Sequence, residues 1–474
     1  MIRSPIRSAA YLVSALALSP DPASAQTNSE LQRQIDDLKA QVQALTAALA
    51  SAKPAVTTNA PASPGAAPVV TASTAAAPQQ PVSAAAEPDK SKSKSHGLSL
   101  RGYTQMRYNA ILSGDKTAPA GQARLRSVHD ASLNERGNFS LRRVRLAVQG
   151  DISDRVSLYL QSDFASAVNN QAGTERRENF LQLRDAYVDV FADENRTLRL
   201  RFGQSKVPYG WENMQSSSNR VPLDRSDAIN SAVPSERDLG IVAYYTPLSV
   251  QHIWDRLAKD GQKLFGNYGA FGLGVFNGQG TNRTEQNDGL MKVAFATWPF
   301  ALDGLGDALA GQVVEIGGSA MHNRVQPELR SGVISTAAYR DNRVGLHAIL
   351  YPQPFGIQAE WNWGKGPEFD RLSQSIESRK VKGGYIQTML HLTDDDWGTL
   401  TPYVRWQTYR GGWKAATNAP RLETDEIELG VEWQPIKALE LTIAYARMKR
   451  AEADERRVGR AEGDVLRTQL QWNY

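Results

Sequence analysis

Apolar and polar residues alternate strictly near the C-terminal end of the chain, where residues 465–474 read V-L-R-T-Q-L-Q-W-N-Y. Leu470 and Trp472 share one parity, and Arg467 and Gln469 share the other. A period of two predicts a β-strand with one apolar face and one polar face. A strand in a soluble protein shows the same alternation, so this stretch alone does not distinguish a soluble sheet from a membrane barrel.

Sixteen stretches of the chain repeat this alternation, and each is a candidate strand. They cover residues 98–109, 139–150, 155–165, 183–191, 197–204, 239–246, 267–276, 289–296, 311–320, 342–350, 355–363, 382–391, 399–410, 424–433, 439–448 and 464–474. Strands that face lipid on one side and water on the other build outer-membrane barrels, which must close because hydrocarbon tolerates no open edge. We therefore predict an all-β fold, a 16-stranded antiparallel transmembrane β-barrel over residues 97–474.

The connections between the candidate strands alternate in length. Those after even-numbered strands are often short: 151–154, 192–196, 351–354 and 434–438. Those after odd-numbered strands tend to be long: 110–138, 205–238, 364–381, 411–423 and 449–463. Short turns on one side and long loops on the other are typical of outer-membrane barrels, with the short turns in the periplasm. Two connections, 247–266 and 297–310, break the rule because they should be short and are not.

An export signal precedes the predicted barrel. Residues 1–25 contain Arg3 and Arg7, then the apolar stretch 9–18, then the small-residue motif Ala-Ser-Ala at 23–25. This arrangement predicts a secretory signal peptide, which favours the membrane barrel over a soluble sheet. An even number of strands leaves both ends of the barrel on the periplasmic side, so the segment that follows the signal is expected in the periplasm.

Two further segments link the signal to the barrel. In residues 26–50, apolar side chains repeat with heptad spacing at Leu31, Ile35, Leu38, Val42, Leu45 and Leu49. The seam predicts a short periplasmic coiled-coil helix formed with sister subunits, and the alternative is an amphipathic helix packed on the barrel mouth. Residues 51–96 are rich in alanine and proline and predict a disordered linker. The linker ends in a lysine-rich run, residues 89–94, which we interpret as a solvated end; the alternative is a contact with anionic lipid or cell-wall polymer.

Composition excludes several classes of protein. The chain lacks cysteine, which excludes disulfides, thiolate nucleophiles and cysteine–metal sites. A mean hydropathy of −0.44 excludes a bundle of membrane helices. The net charge of +4 is too small to indicate nucleic-acid binding. The six histidines are mostly isolated and no G-x-S-x-G motif is present. We therefore expect no enzyme, catalytic residue, metal or cofactor.

Arginines recur on the parity that should face the lumen. The candidates for pore lining and anion binding, together with cations of the third long loop, are Arg101, Arg107, Arg143, Arg145, Arg199, Arg201, Lys206, Arg220, Arg225, Arg237, Arg405 and Arg467. Guanidinium groups stay charged and bind oxyanions with two parallel hydrogen bonds, so such a wall would conduct anions. The equally weighted alternative is that these arginines pair with inward carboxylates and stiffen the wall. The opposing acidic candidates are Asp163, Asp185 and Asp189.

The loop 205–238 is long enough to constrict a wide barrel. Besides the four cations already named, its acidic residues are Glu212, Asp224, Asp227, Glu236 and Asp238. Because the charges are mixed, the loop predicts a constriction with a transverse field as readily as a simple cationic filter.

Four stretches resemble the phosphate-selective porin O and P family. They are L-R-F-G-Q-S-K-V-P-Y-G-W-E at 200–212, R-D-A-Y-V-D at 184–189, F-N-G at 276–278 and L-G-V-E-W at 429–433. The resemblance implies a homotrimer of barrels that passes small ions, with phosphate or polyphosphate as candidate solutes. The inward lysines are sparse and the loop is slightly acidic, so strict phosphate selectivity does not follow from the resemblance.

Together these features predict a passive diffusion channel in the outer membrane of a Gram-negative bacterium, in contact with membrane lipid and preferring small anions. The alternative is a general porin, or one for other solutes, that also tethers the outer membrane to the cell wall through its coiled coil.

Overall fold

The computed structural model describes Asp36, Ala40, Leu125, Leu133 and five continuous ranges. These ranges are residues 97–114, 137–166, 179–266, 269–453 and 458–474. The predicted signal peptide, almost all of the coiled-coil segment and the linker lie outside the described residues, so they remain predictions.

Sixteen antiparallel strands form one sheet in the described part of the chain. They are β1 (Leu98–Gly114), β2 (Asn138–Ser153), β3 (Val156–Ser166), β4 (Phe180–Phe191), β5 (Leu198–Lys206), β6 (Arg237–Tyr245), β7 (Phe271–Phe276), β8 (Met291–Ala301), β9 (Val313–Val325), β10 (Tyr339–Leu350), β11 (Phe355–Asp370), β12 (Ser375–Leu390), β13 (Gly398–Gly412), β14 (Arg421–Ile436), β15 (Leu439–Ala453) and β16 (Val458–Asn473). A short strand, Leu392–Asp394, continues β12 and also pairs with β13.

The sheet closes on itself because β1 pairs with both β2 and β16. At the seam, the Gly102 amide donates to the Tyr474 carbonyl at 2.6 Å, and the Tyr474 amide donates to the Gly102 carbonyl at 3.0 Å. These hydrogen bonds satisfy backbone groups that an open edge would leave unpaired in hydrocarbon. The predicted all-β fold and the closed 16-stranded antiparallel barrel are confirmed.

The barrel is apolar outside and polar inside, the reverse of a soluble protein. Leu100 and Leu273 are 69% and 66% exposed, whereas Arg107 and Arg467 are fully buried. Along each strand the two kinds of residue alternate, because successive side chains point to opposite faces of a sheet. The outward residues offer a surface suited to lipid. Among the described residues, no helix is both long and apolar enough to cross a bilayer.

Two connections predicted as long loops are mostly strand, and a third is strand at its ends. In place of 364–381, the strands β11 and β12 continue to a turn at residues 371–374. Likewise, paired strands occupy most of 449–463 and both ends of 411–423. The prediction was wrong at these ends because apolar alternation marks only the part of a strand that faces lipid. Beyond the hydrocarbon layer, the hydrogen-bonded ladder continues without that pattern.

Three helices lie in two of the connections. α1 (Trp211–Met214) and α2 (Asp227–Ala232) belong to the connection from β5 to β6, and α3 (Leu248–Lys259) belongs to the connection from β6 to β7. The second connection is one of the two that broke the predicted alternation of lengths. The other, between β8 and β9, contains two short 3-10 turns, Asp303–Leu305 and Asp307–Leu309.

Candidate permeation pathway

The connection from β5 to β6, residues 207–236, folds into the barrel. Ser217 Oγ lies 2.6 Å from the Tyr103 hydroxyl of β1. The Trp211 amide donates to Glu360 of β11 at 2.7 Å. Because β1 and β11 are far apart in the order of strands around the barrel, the loop crosses the lumen and occupies part of it. We call residues 207–236 the pore loop.

Asp224 of the pore loop lies against four arginines of the barrel wall. Its carboxylate is 3.0 Å from Arg107 Nη1 and 3.5 Å from Arg142 Nη2. Arg143 Nη2 is 4.0 Å away, and Arg467 Nη2 contacts the same carboxylate directly. The strands that carry these arginines, β16, β1 and β2, are consecutive around the barrel. Among the described residues, the guanidinium groups around Asp224 therefore outnumber its single carboxylate.

Glu236, at the end of the pore loop, is likewise surrounded by cations. Five cations lie 2.5–4.0 Å from its carboxylate: Arg184, Lys206, Arg220, Arg225 and Arg237. Burial alone would raise the pKa of Glu236, but these cations lower it well below its ordinary value. Glu236 is therefore ionised at neutral pH, and the surrounding cations still outnumber it.

The three predicted acidic residues lie on the wall beside these clusters, and each pairs with an arginine. The pairs are Asp163 with Arg145 at 2.8 Å, Asp185 with Arg237 at 2.8 Å, and Asp189 with Arg199 at 3.5 Å and Arg201 at 2.7 Å. These arginines are therefore partly neutralised and held in place. Arg101, half-buried near the end at which β1 begins, lies over the Tyr159 ring at 5.9 Å.

A second connection enters the barrel from the opposite end. We call residues 248–266, which contain α3, the turn insert. Its buried Phe265 contacts the ring of Trp211 in the pore loop edge-on, with ring centroids 5.7 Å apart. Gln215 of the pore loop donates to the Lys263 carbonyl at 3.0 Å. The two inserted segments therefore meet inside the barrel.

Glu315 of β9 holds both inserted segments. Its carboxylate accepts hydrogen bonds from Trp211 Nε1 at 3.1 Å and from Trp254 Nε1 of α3 at 3.0 Å. It also accepts from the Thr297 hydroxyl at 2.7 Å and the Tyr351 hydroxyl at 2.9 Å. This side of the lumen is filled with aromatic rings, whereas the arginine clusters occupy the other side.

Carboxylates dominate a third part of the lumen, on β14 and β15. Glu428 is buried and lies 3.7 Å from Arg467. Lys263 of the turn insert bridges Glu432 at 2.6 Å and Glu440 at 2.9 Å. Burial would lower the pKa of Lys263, but the two glutamates raise it. Because β15 adjoins β16, the acidic and basic parts of the wall lie side by side and produce a field transverse to the pore.

The predicted Arg405 of β13 lies between these regions and pairs with Glu212 of the pore loop at 2.8 Å. Three buried cations were missed by sequence reasoning: Arg343 and Lys414, which share Asp341, and Arg450, which lies 3.8 Å from Asp227. The parity of β10 indicates Arg343, because it places Asp341 and Arg343 on the inward face. Lys414 lies in a loop, where no periodicity could have revealed it.

The described fold and its lumen agree with a comparison against protein families. Residues 122–474 match the family described as phosphate-selective porin O and P. The chain belongs to this family. The match covers every strand of this porin after β1 and includes the pore loop and the turn insert. The resemblance found in the sequence is confirmed, and the porin is a channel of the outer membrane.

Several solved structures are similar to this porin at low sequence identity. The outer membrane channel DcaP of Acinetobacter baumannii is 14% identical, with 81% of this chain and 99% of that chain covered and a TM-score of 0.46. OmpF of Salmonella typhi is 12% identical, with 80% and 97% covered and a TM-score of 0.48. An anion-selective porin from Comamonas acidovorans is 12% identical, with 80% and 100% covered and a TM-score of 0.45. No curated protein sequence matches this chain.

Proposed function

We propose that this porin is a passive diffusion channel that prefers small anions. The observation that supports the proposal best is the excess of cations around Asp224 and Glu236. Both carboxylates belong to the pore loop, which narrows the lumen. An anion that passes this narrow part meets clusters in which cations outnumber the described carboxylates.

In this proposal the two carboxylates act as internal counterions. They keep the arginines ordered while the lumen is empty of solute, and a passing anion replaces part of their contact with the guanidinium groups. Arginine suits this role because its planar group binds an oxyanion with two hydrogen bonds and cannot lose its proton. The preference for anions should weaken as the salt concentration rises, because dissolved ions screen charges that lie more than about 10 Å apart at 0.1 M salt.

Phosphate or polyphosphate is the proposed solute within this class. The arginine-rich wall suits phosphate oxygens, and the family description names phosphate. The candidate residues for contact with the anion are the buried cations of the two clusters and of the wall beside them: Arg107, Arg143, Arg145, Arg199, Arg201, Lys206, Arg220, Arg225, Arg237 and Arg467.

A planar bilayer recording tests both parts of the proposal. The full mature porin is reconstituted under a KCl gradient, and the reversal potential gives the ratio of chloride to potassium permeability. A ratio above one is expected, and a ratio below one would refute anion preference. Inorganic phosphate is then added at constant ionic strength. Phosphate should reduce chloride current, whereas an anion-preferring channel that phosphate leaves unaffected would refute the phosphate assignment alone.

We also propose that three copies associate and that residues 26–50 help them to do so. The support is the heptad seam from Leu31 to Leu49 and the implication of family membership. Deleting residues 27–95 should leave single-channel selectivity unchanged and reduce the trimer fraction in light scattering. The deletion should also weaken co-sedimentation with cell-wall polymer if the segment tethers the outer membrane.

A further inference from the structure

A row of cations crosses the outer face of the barrel on five neighbouring strands. The strand register places five outward residues directly beside one another: Lys292, His322, Asn342, Lys365 and Lys380 of β8, β9, β10, β11 and β12. One step nearer the long loops, Arg324 lies opposite Arg340. The four lysine and histidine members of the row are exposed.

These outward cations lack acidic partners. In the described ranges, no ion pair or hydrogen bond involves the side chains of Lys292, Lys365 or Lys380, and the same holds for Arg340. Like charges directly opposite one another on neighbouring strands destabilise the pair. Lys365 and Lys380 are such a pair. Unmatched lysines in this arrangement raise the free energy of the isolated protein. We therefore expect an anion from outside the chain to neutralise them.

The strands that follow β12 around the barrel, β13 to β16, show how outward cations are otherwise arranged here. On β13, Arg410 lies 3.8 Å from both Glu423 and Asp425. On β15, Arg447 pairs with a carboxylate of β16, Asp464, at 2.9 Å. Outward cations on β13 and β15 are thus matched by carboxylates of β14 and β16, whereas those on β8 to β12 are not.

An apolar groove begins directly below the unmatched row. It has a volume of about 700 Å³, and Lys292 and His322 line its end. Its floor contains the small residues Ala294 and Ala320, which lie two positions from Lys292 and His322, respectively, on the same face. Larger apolar residues form its sides, including Leu273, Val275, Val344 and Trp363.

We propose that this face binds a phosphorylated membrane lipid. The phosphate contacts the row formed by Lys292, Lys365 and Lys380, and an acyl chain lies in the groove below it. Two features favour this occupant: the charge is complementary to phosphate, and the apolar groove continues from the cations toward the middle of the membrane. The row lies at the long-loop end of the strands, which faces the outer leaflet in barrels of this kind.

Native mass spectrometry of the full porin in detergent tests the proposal, with lipid A and its fully dephosphorylated form as probes. Lipid A should bind to the wild-type porin, and the dephosphorylated form should bind far more weakly. The triple variant Lys292→Gln, Lys365→Gln, Lys380→Gln should lose roughly 100-fold in affinity, since each cation near a membrane surface contributes about fivefold. The variant Ala320→Leu, which fills the groove, should weaken binding of both probes.

The matched control is the triple variant Arg410→Gln, Arg447→Gln, Lys449→Gln on β13 and β15, outside the row, which should bind lipid A as the wild type does. Channel conductance should remain unchanged in every variant, which verifies folding. Equal binding by both triple variants would overturn the proposal. Loss of oligomers in the Lys292, Lys365 and Lys380 variant without loss of lipid binding would also overturn it, because the face would then be a contact between subunits.

Discussion

Asp224 is the residue at which the balance of charge in the lumen can be changed most directly. It forms ion pairs with Arg107 and Arg142, and it contacts Arg467 as well. Because Asp224, Arg107 and Arg467 are buried and Arg142 is half-buried, the water that would otherwise screen them is largely excluded. A single charge at this position should therefore influence permeation more than one on an exposed loop.

The substitution Asp224→Asn should increase anion preference. It removes one negative charge and keeps the shape of the side chain, so more positive charge is left for a passing anion. We expect the chloride-to-potassium permeability ratio, measured from the reversal potential, to rise at least twofold at low salt. The increase should shrink toward 1 M KCl, where the screening length falls to about 3 Å.

Asp288→Asn provides the control, because Asp288 is an exposed residue of the connection between β7 and β8. The Asp288→Asn variant should have the same chloride-to-potassium permeability ratio as the wild type. A ratio that falls, or stays constant, in the Asp224 variant would contradict the role assigned to the cluster.

Sequence alone could place some members of this cluster but not others. The period of two puts Arg107 and Arg467 on the inward face, since parity is a local property of an extended chain. Arg142 has the opposite parity to Arg143. It approaches Asp224 because a β-bulge shifts the register between Gln105 and Met106. A bulge depends on the pairing of two strands, so the sequence of one strand does not reveal it.

At the scale of elements, the barrel interior depends on the meeting of the pore loop and the turn insert. Asn219 of the pore loop donates to the Leu264 carbonyl of the turn insert at 2.7 Å. Glu315 accepts a tryptophan hydrogen bond from each segment. Each inserted segment therefore stabilises the position of the other, and the wall residue Glu315 fixes both.

The substitution Glu315→Gln should loosen both segments together. A glutamine amide has one acceptor oxygen, so it cannot accept all four hydrogen bonds that the carboxylate accepts. Each buried donor left without a partner costs about 1–3 kcal/mol. We expect a lower unfolding temperature, measured by the heat-dependent shift of the barrel on electrophoresis, and larger current fluctuations in bilayer recordings.

Glu194→Gln is the matched control, because the Glu194 side chain is 90% exposed and makes only a 3.7 Å ion pair with Arg155. The Glu194→Gln variant should change neither the unfolding temperature nor the current fluctuations. If the Glu315 variant also showed steady wild-type currents, the pore loop would be held by its other contacts, such as those to Glu360.

The strands were predictable as elements, but the path of the connections was not. All sixteen candidate stretches correspond to strands, because each stretch carries the alternation of apolar and polar residues. The length of 247–266 showed only that this connection is not a tight turn. Val250, Trp254 and Leu257 are spaced as one face of a helix, which could have indicated α3. The packing of this helix face inside the barrel depends on residues that are distant in the sequence, such as Glu315.

At the scale of the whole molecule, everything inside the lumen requires closure of the sheet between β1 and β16. The seam brings Gly102 against the C-terminal residue, and the Tyr474 hydroxyl lies 3.3 Å from Thr104 Oγ1. A Cβ atom at position 102 would overlap both the Tyr474 ring and the Arg145 carbonyl of β2. The absence of a side chain at Gly102 thus allows three strands to meet where the barrel closes.

The substitution Gly102→Ala should therefore impair closure. The Tyr474 ring can move, but the Arg145 carbonyl belongs to the hydrogen-bonded backbone of β2 and moves only if the register is distorted. Overpacking of this kind costs roughly 1–3 kcal/mol. We expect a lower yield of folded barrel on refolding into detergent and a lower unfolding temperature, with ion selectivity unchanged in the molecules that do fold. Gly304→Ala, which adds a Cβ with no atom within 4 Å, should fold as the wild type does. Equal yields for the two variants would show that the seam can widen freely, and closure would then not depend on the fit at Gly102.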